Sequence, residues 1–141
     1  MTVTALANTK ADMTTNLYIN GKSVRVEEGK AVAIVNPYDN SEICSINPAS
    51  NRQVDNAVAS AYDAFRDHSW TSLTGRDRGA LLFKLATLLR EDLEAFAIIE
   101  TMDTGIPIRE TRMEVATSAM HIEYFAGWAG KIEGSYQDLG S

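Results

Sequence analysis

Few residues in this sequence have the chemistry of a catalyst, and a cysteine is the first of them. Cys44 is the only thiol among 141 residues. A nucleophilic cysteine needs a nearby lysine, arginine or helix N-terminus to lower its pKa. Cys44 instead stands in a short strand-like segment between Ile43 and Ser45, with none of these beside it. We therefore expect a buried structural thiol, and a single cysteine excludes an intrachain disulfide and is compatible with a cytoplasmic location.

A histidine and an acidic cluster are the next candidates. His121 has no carboxylate three or four positions away to orient its ring or share a proton, so we expect a partly solvated helix-face histidine. Glu91, Asp92 and Glu94 open a predicted helix, where carboxylates favour the positive end of the helix dipole. The sequence indicates no general acid or base, and we assign no catalytic residue.

Asp103 is a better functional candidate, because it lies two residues before Gly105, where a helix is predicted to end. One role for such a carboxylate is structural, since it can accept hydrogen bonds from the backbone amides of a tight turn. The glycines further on do not form a nucleotide-binding motif. Gly127, Gly130 and Gly134 lack the G-x-G-x-x-G spacing, and no strand precedes them. We expect them to allow close helix packing and the exit from the last helix, and we assign no cofactor-binding residue.

The composition excludes two classes of partner. The formal net charge is -6, and no Lys/Arg cluster could neutralise several phosphates, so we expect no nucleic-acid partner. The longest apolar runs are short, as at 31–35 and 95–99, so no segment is expected to cross a membrane. Residues 1–15 lack the basic and apolar regions of a secretory signal and are expected to form a flexible leader before a single segment over 16–141.

Short apolar segments near the N-terminus predict two β-hairpins. Strands are predicted at residues 17–19, 23–26, 31–35 and 42–46. The first pair is joined by Asn20 and Gly21, which favour the positive φ angles of a type I′ turn. The second pair is joined by a turn-rich stretch at 36–40. Two short hairpins are marginally stable alone and need a partner surface.

Apolar positions at helical spacing predict four helices after residue 50. Their predicted bounds are 51–67, 75–90, 91–102 and 107–131, with a connector at 68–73. Thr74 and Asp77 resemble a capping box, and Gly105 suits a left-handed helix end. The second and fourth helices carry apolar faces wider than the single stripe of a surface helix, and we expect them to pack against neighbours on two sides. The predicted fold class is α+β, mainly α-helical with two short N-terminal β-hairpins.

Two motifs one helix apart resemble a known family. Residues 100–107 read E-T-M-D-T-G-I-P and residues 124–128 read Y-F-A-G-W. They are similar to the E-T-x-D-x-G-K-P and Y-Y-A-G-W motifs in the N-terminal portion of the NAD(P)-dependent aldehyde dehydrogenases. Further similar pieces follow in the family's order, and the resemblance covers residues 16 to 134. Ile106 replaces the family's usual lysine, a surface group whose loss is expected to cost little.

The resemblance implies the N-terminal part of the aldehyde dehydrogenase fold, lacking the complete Rossmann-like and catalytic domains. In the full-length parent, NAD or NADP would accept hydride from a cysteine-bound hemithioacetal to give a carboxylic acid. The family's nucleophile, general base and nicotinamide-binding residues lie beyond Ser141, so this chain alone is expected to be inactive and to bind no cofactor. Its partner would be the remainder of an aldehyde dehydrogenase chain or further copies in a homo-oligomer.

The resemblance also implies a monovalent-cation site at Asp103. The ligands would be the Asp103 carboxylate and backbone carbonyl oxygens near Ile34 and Val35, and hard oxygen ligands suit a hard cation. The structural role in the turn remains the alternative. The last helix would run near a substrate-access channel, with His121 on its wall.

Three functions are open on the sequence alone. The first is a scaffold segment of an aldehyde dehydrogenase, whose helices pack against the nucleotide-binding domain and shape the substrate entrance. The second is a non-catalytic interaction subunit or decoy, which would bind a full-length dehydrogenase or itself through the apolar faces at 80–89 and 113–128. The third is an unrelated small helical regulator. A selected binding module would fold cooperatively alone, whereas a dependent segment would be molten with exposed apolar surface.

Overall fold

The computed structural model describes residues 15–27 and 29–137, so the predicted leader lies outside the described residues except for Thr15. The elements in these ranges are β1 (Leu17–Ile19), β2 (Lys22–Val24), β3 (Val32–Val35), β4 (Glu42–Ile46), α1 (Asn51–Arg66), α2 (His68–Thr71), α3 (Gly75–Glu91), α4 (Leu93–Thr104) and α5 (Ile108–Trp128). The α+β fold class, mainly helical with two N-terminal hairpins, is confirmed. No helix in the described residues is long and apolar enough to cross a membrane.

The two hairpins form separate two-stranded antiparallel sheets. In the first, Leu17 lies opposite Val24, and the connecting Asn20 and Gly21 have φ angles of 52° and 71°. The positive φ angles predicted from the Asn-Gly pair are therefore present. The second sheet, β3 with β4, contains a register irregularity between Ile34 and Val35.

Capping boxes begin α1 and α3. The predicted box joins Thr74 and Asp77, with Thr74 Oγ1 accepting from the Asp77 amide at 3.1 Å and the Asp77 carboxylate accepting from the Thr74 amide at 3.3 Å. The equivalent box of Ser50 and Gln53 was not predicted, although S-x-x-Q is a recognised signal for it. The connector predicted at 68–73 contains the short helix α2, because the Asp67 carboxylate accepts a hydrogen bond from the Ser69 amide at 2.9 Å.

Gln53 also joins α1 to the chain that leaves the first hairpin. Its side chain is 2% exposed, its Nε2 donates to the Arg25 carbonyl oxygen at 2.9 Å, and its Oε1 accepts from the Ser50 amide at 3.2 Å. A buried amide is stable only when its polar atoms are paired. Gln53 therefore fixes the position of the α1 N-terminus against the preceding segment.

Glycines in α3 allow its backbone to approach α5 closely. A Cβ atom at Gly79 would lie 2.8 Å from the Ala126 carbonyl oxygen, and one at Gly75 would overlap the Ala129 carbonyl oxygen. The prediction that Gly127 allows close helix packing is wrong, because a Cβ atom there would meet nothing within 4 Å. Gly130 and Gly134 follow α5, and they too have open space around the Cβ position.

A buried threonine joins α4 to α5. The Thr111 side chain is fully buried, and its hydroxyl donates to the Ala97 carbonyl oxygen at 3.0 Å. The Thr101 and Thr111 hydroxyl oxygens are 2.9 Å apart, so the Thr101 hydroxyl also has a hydrogen-bond partner. Both polar groups therefore have partners inside the helix pair, which satisfies the requirement for burying them.

Two exposed ion pairs link the helices further. Glu94 binds Arg112 through two hydrogen bonds of 2.8 and 2.9 Å between α4 and α5, and Glu123 on α5 pairs with Arg90 on α3. Each arginine lowers the pKa of its glutamate below the ordinary 4.5, chiefly through the side-chain hydrogen bonds. A lowered carboxyl pKa stabilises the fold above the ordinary pKa, and this stabilisation is lost as pH falls through the lowered value. Solvent screening keeps both contributions small.

The Gly79 contact predicts opposite effects for two glycine-to-alanine substitutions. Gly79→Ala forces a Cβ atom against backbone, and overpacking of this kind lowers the free energy of unfolding by about 1–3 kcal/mol. Gly127→Ala is the matched control, because open space surrounds its Cβ and alanine is favoured over glycine in helices by about 1 kcal/mol. Thermal unfolding followed by circular dichroism measures both variants. Equal shifts of the two melting temperatures would contradict the packing described here.

Candidate functional site

The elements that carry the predicted cation ligands contact each other where α4 ends against the second hairpin. Asp103 is exposed in the last turn of α4, and Gly105 ends the helix in the left-handed conformation with a φ angle of 77°. A Cβ atom at Gly105 would lie 3.0 Å from Pro37 Cγ, so the helix end contacts the turn that follows β3. The structure therefore brings the turn of Asp103 beside the strand that ends at Val35.

An apolar cluster holds these two elements together. Ile43 of β4 is buried with Ile98 and Met102 of α4, and Ile34 of β3 packs against them. Across the hairpin Ile34 pairs with Cys44 whereas Val35 pairs with Glu42. The register therefore slips by one residue between the two proposed carbonyl donors, Ile34 and Val35. Such a bulge disrupts the ladder locally and is common beside functional sites.

The structural alternative for Asp103 was that its carboxylate accepts hydrogen bonds from the backbone amides of the turn before Gly105. In the structure, other groups accept these hydrogen bonds. The Gly105 amide donates to the Thr101 carbonyl oxygen at 2.9 Å, and the Ile106 amide donates to Thr104 Oγ1 at 3.3 Å. Within residues 15–27 and 29–137, no hydrogen bond to the Asp103 carboxylate is present. The carboxylate is thus exposed and available, while the turn is stabilised by its threonines and by glycine.

A cation at this place would depend on backbone oxygen atoms. In the part of the chain that the structure describes, no three His, Cys, Asp or Glu side chains come together as a metal-binding group. One carboxylate with several carbonyl oxygens is suited to a weakly held monovalent ion rather than to a transition metal, which prefers imidazole or thiolate ligands.

The remaining candidates lie apart from Asp103. Cys44 in β4 is half-buried, so it is less enclosed than the buried thiol that the sequence predicts. Glu94 of the acidic cluster is bound to Arg112, and Asp92 precedes α4 without a side-chain capping bond. His121 is exposed on α5, where it lines an open cavity of about 430 Å³ together with Glu114, which lies seven positions earlier and was not considered in the sequence analysis.

A groove that the sequence did not reveal lies between α3 and α5. We name it the α3–α5 groove, an open cavity of about 450 Å³ whose principal lining residues are Arg76, Gly79, Phe83, Ala126, Gly127 and Lys131. Its floor is formed by the close contact of the two helices at Gly79, and its wall by a phenylalanine ring. The signal in the sequence was a pair of glycines four positions apart at the start of α3, Gly75 and Gly79.

Apolar side chains along the helices remain largely in solvent. The first helix was predicted from apolar residues at helical spacing, and in α1 these residues are unburied, with Val54, Val58 and Phe65 exposed by 49%, 64% and 78%. The wider faces of α3 and α5 behave in the same way; their exposed large residues are Leu81, Phe83, Leu85, Leu88, Met113, Met120, Tyr124, Phe125 and Trp128. Large apolar residues exposed in such number are typical of a surface that packs against a partner.

The chain belongs to the aldehyde dehydrogenase family, whose model matches residues 24–140. Mitochondrial 10-formyltetrahydrofolate dehydrogenase of Mus musculus is 42% identical over 119 residues, which cover 84% of this chain and 13% of that protein. An aldehyde dehydrogenase of Aspergillus niger is 36% identical over 140 residues, which cover 99% of this chain and 28% of that protein. The family resemblance inferred from the motifs is confirmed.

Solved structures agree with this assignment. PnpE in complex with nicotinamide adenine dinucleotide superposes with a TM-score of 0.79 at 40% identity, over 92% of this chain and 26% of that one. Betaine aldehyde dehydrogenase of Staphylococcus aureus in complex with NAD+ superposes with a TM-score of 0.85 at 27% identity, over 94% of this chain and 27% of that one. The chain therefore spans about a quarter of each of these NAD-bound structures.

Proposed function

We propose that this chain is the N-terminal scaffold segment of an NAD(P)-dependent aldehyde dehydrogenase and that it is inactive alone. The observation that carries this proposal is the apolar surface that α1, α3 and α5 leave uncovered. In the assembled enzyme these faces would pack against the nucleotide-binding domain and help to shape the substrate entrance. The parent reaction would transfer hydride from an aldehyde adduct to NAD or NADP and release a carboxylic acid.

The solvent-accessible area of the chain supports the proposal that a large part of its surface is covered by a partner. The chain exposes 10,943 Å², whereas a compact monomer of its 15.4 kDa exposes about 7,200 Å². Residues outside the described ranges account for at most about 2,900 Å², the area of an unfolded chain of their mass. The described residues then still exceed the area of a compact protein of their size by roughly 1,500 Å². An interface that buries this area on one side belongs to the obligate class.

The side chains present here support a structural role rather than chemistry. Cys44, the only thiol, is held in a strand next to the Ile43 core cluster, and His121 stands on an exposed helix face. Among residues 15–27 and 29–137, neither has the paired base or cation that activates a nucleophile. The contribution to catalysis would therefore be indirect, through the position of α5 beside the site formed by the rest of the enzyme.

Reassembly of a split enzyme tests this function. The probe is the downstream segment of the Aspergillus niger aldehyde dehydrogenase, produced from the residue that follows the region matched by this chain. We expect this chain alone to form no NADH from an aldehyde and NAD+, and the mixture of the two segments to form NADH as they assemble. The control is the matched N-terminal segment of the A. niger enzyme itself.

The outcomes separate the proposed function from its alternative. If the A. niger segments reassemble with each other and this chain neither binds the downstream segment nor restores activity, the scaffold function is wrong. Binding to the intact A. niger enzyme with loss of its activity would instead support a non-catalytic subunit or decoy.

We also propose that Asp103 and the carbonyl oxygens of Ile34 and Val35 bind a monovalent cation. The proximity of the α4 end to β3, the bulge in the hairpin and the available carboxylate support this site. The ion would hold the helix end and the second hairpin together.

Cation dependence of thermal unfolding tests this site. We expect potassium or sodium to raise the melting temperature relative to tetramethylammonium at constant ionic strength, and Asp103→Asn to remove the difference. Asp63→Asn, which neutralises an exposed carboxylate on α1, is the control and should retain it. A melting temperature that is the same in all three salts would disprove the site.

A further inference from the structure

We infer that the α3–α5 groove is the docking site for a partner segment that presents an apolar side chain flanked by carboxylates. This inference rests on the proposed scaffold function, and its occupant is a segment of the downstream aldehyde dehydrogenase chain. Two independent features define that occupant: the shape and apolar character of the floor, and the charge of the rim.

The residues at the floor of the α3–α5 groove are too small to fill it, so the groove has room for a side chain from a partner. Gly79 and Ala126 are buried beneath it, and neither has a side chain long enough to enter the groove. Open space extends at least 4 Å from the Cβ position of Gly127, and the Phe83 ring beside it is 47% exposed. An aliphatic side chain placed here would remove apolar surface from water on both sides, at about 25 cal/mol for each Å² buried.

The rim is positive on a chain that is acidic overall. Arg76 and Lys131 border the groove, no carboxylate of the described residues lines it, and the net charge of the chain is -6. In the described ranges neither side chain forms an ion pair or a hydrogen bond. Four other arginines each pair with a glutamate; these are Arg52, Arg90, Arg109 and Arg112. Lys22, Lys30 and Arg78 are unpaired in the described ranges as well, so what distinguishes Arg76 and Lys131 is their place at the rim of an apolar groove.

The combination of floor and rim favours one kind of occupant. Two separated cations alone would suit any anion, but the apolar floor disfavours a free phosphate or a nucleic-acid backbone, which would leave it exposed. A helix or extended segment with an aliphatic anchor and acidic neighbours satisfies both parts of the groove. Complementary charge at a rim acts mainly on specificity and on the association rate, so both should depend on salt.

Charge reversal at the rim tests the docking site. The double variant Arg76→Glu/Lys131→Glu should bind the downstream A. niger segment at least about tenfold more weakly, a loss of about 1.4 kcal/mol. Its affinity should also depend less steeply on salt than that of the unmodified chain. The control is Lys22→Glu/Lys30→Glu, which makes the same charge change on exposed residues near the N-terminus and should bind as the unmodified chain does.

Filling the floor provides a second test that leaves the charges intact. Gly127→Leu places a side chain in open space, so the helix content by circular dichroism should be unchanged while the affinity for the downstream segment falls at least about tenfold. Gly127→Ala, with a much smaller side chain, should retain most of the affinity.

The possible results distinguish the groove from the scaffold function. If the unmodified chain binds the downstream segment and both the charge-reversed and the leucine variants bind equally well, the groove assignment is wrong and the scaffold function stands. If the unmodified chain does not bind while the cognate A. niger segment does, both are wrong. If Gly127→Leu abolishes self-association of this chain and leaves binding of the downstream segment intact, the occupant is a second copy and the inference is overturned.

Discussion

The close contact of α3 with α5 is the constraint on which the rest of this structure depends. Because Gly75 and Gly79 carry no side chain, the two backbones approach until a Cβ atom would touch a carbonyl oxygen. The contact buries small residues, including Ala86, Ala119 and Ala126, and so leaves the larger apolar residues on the outer faces. A helix pair packed in this way has a close interface but leaves a large apolar surface exposed to solvent.

Because the apolar core is small, polar contacts help to position the other helices and the hairpins around this helix pair. Gln53 ties α1 to the first hairpin, and Thr111 ties α5 to α4, each through buried hydrogen bonds. A cluster of larger buried apolar residues around Met102 fixes the second hairpin to the end of α4. These contacts specify the geometry of the elements. The wide apolar faces of the helices, which in most domains are buried and stabilise the fold, are exposed in this chain.

The sequence predicted the local structure well because local chemistry determines it. The Asn20-Gly21 turn, the capping box at Thr74 and the left-handed end at Gly105 each depend on residues within a few positions. The groove and the roles of Gly79 and Gln53 were missed because they depend on contacts between residues far apart in sequence. The helical spacing of the apolar residues in α1 was recognised, but spacing alone does not show whether an apolar helix face is buried in the core or exposed.

The central claim, that the outer apolar faces require the rest of an aldehyde dehydrogenase, is tested most directly with a dye that fluoresces on exposed apolar surface. We predict strong fluorescence with this chain alone and its loss when the downstream A. niger segment is added. Such dye binding is characteristic of proteins whose apolar surface is accessible. A chain that binds no dye and is unaffected by the added segment would contradict the account.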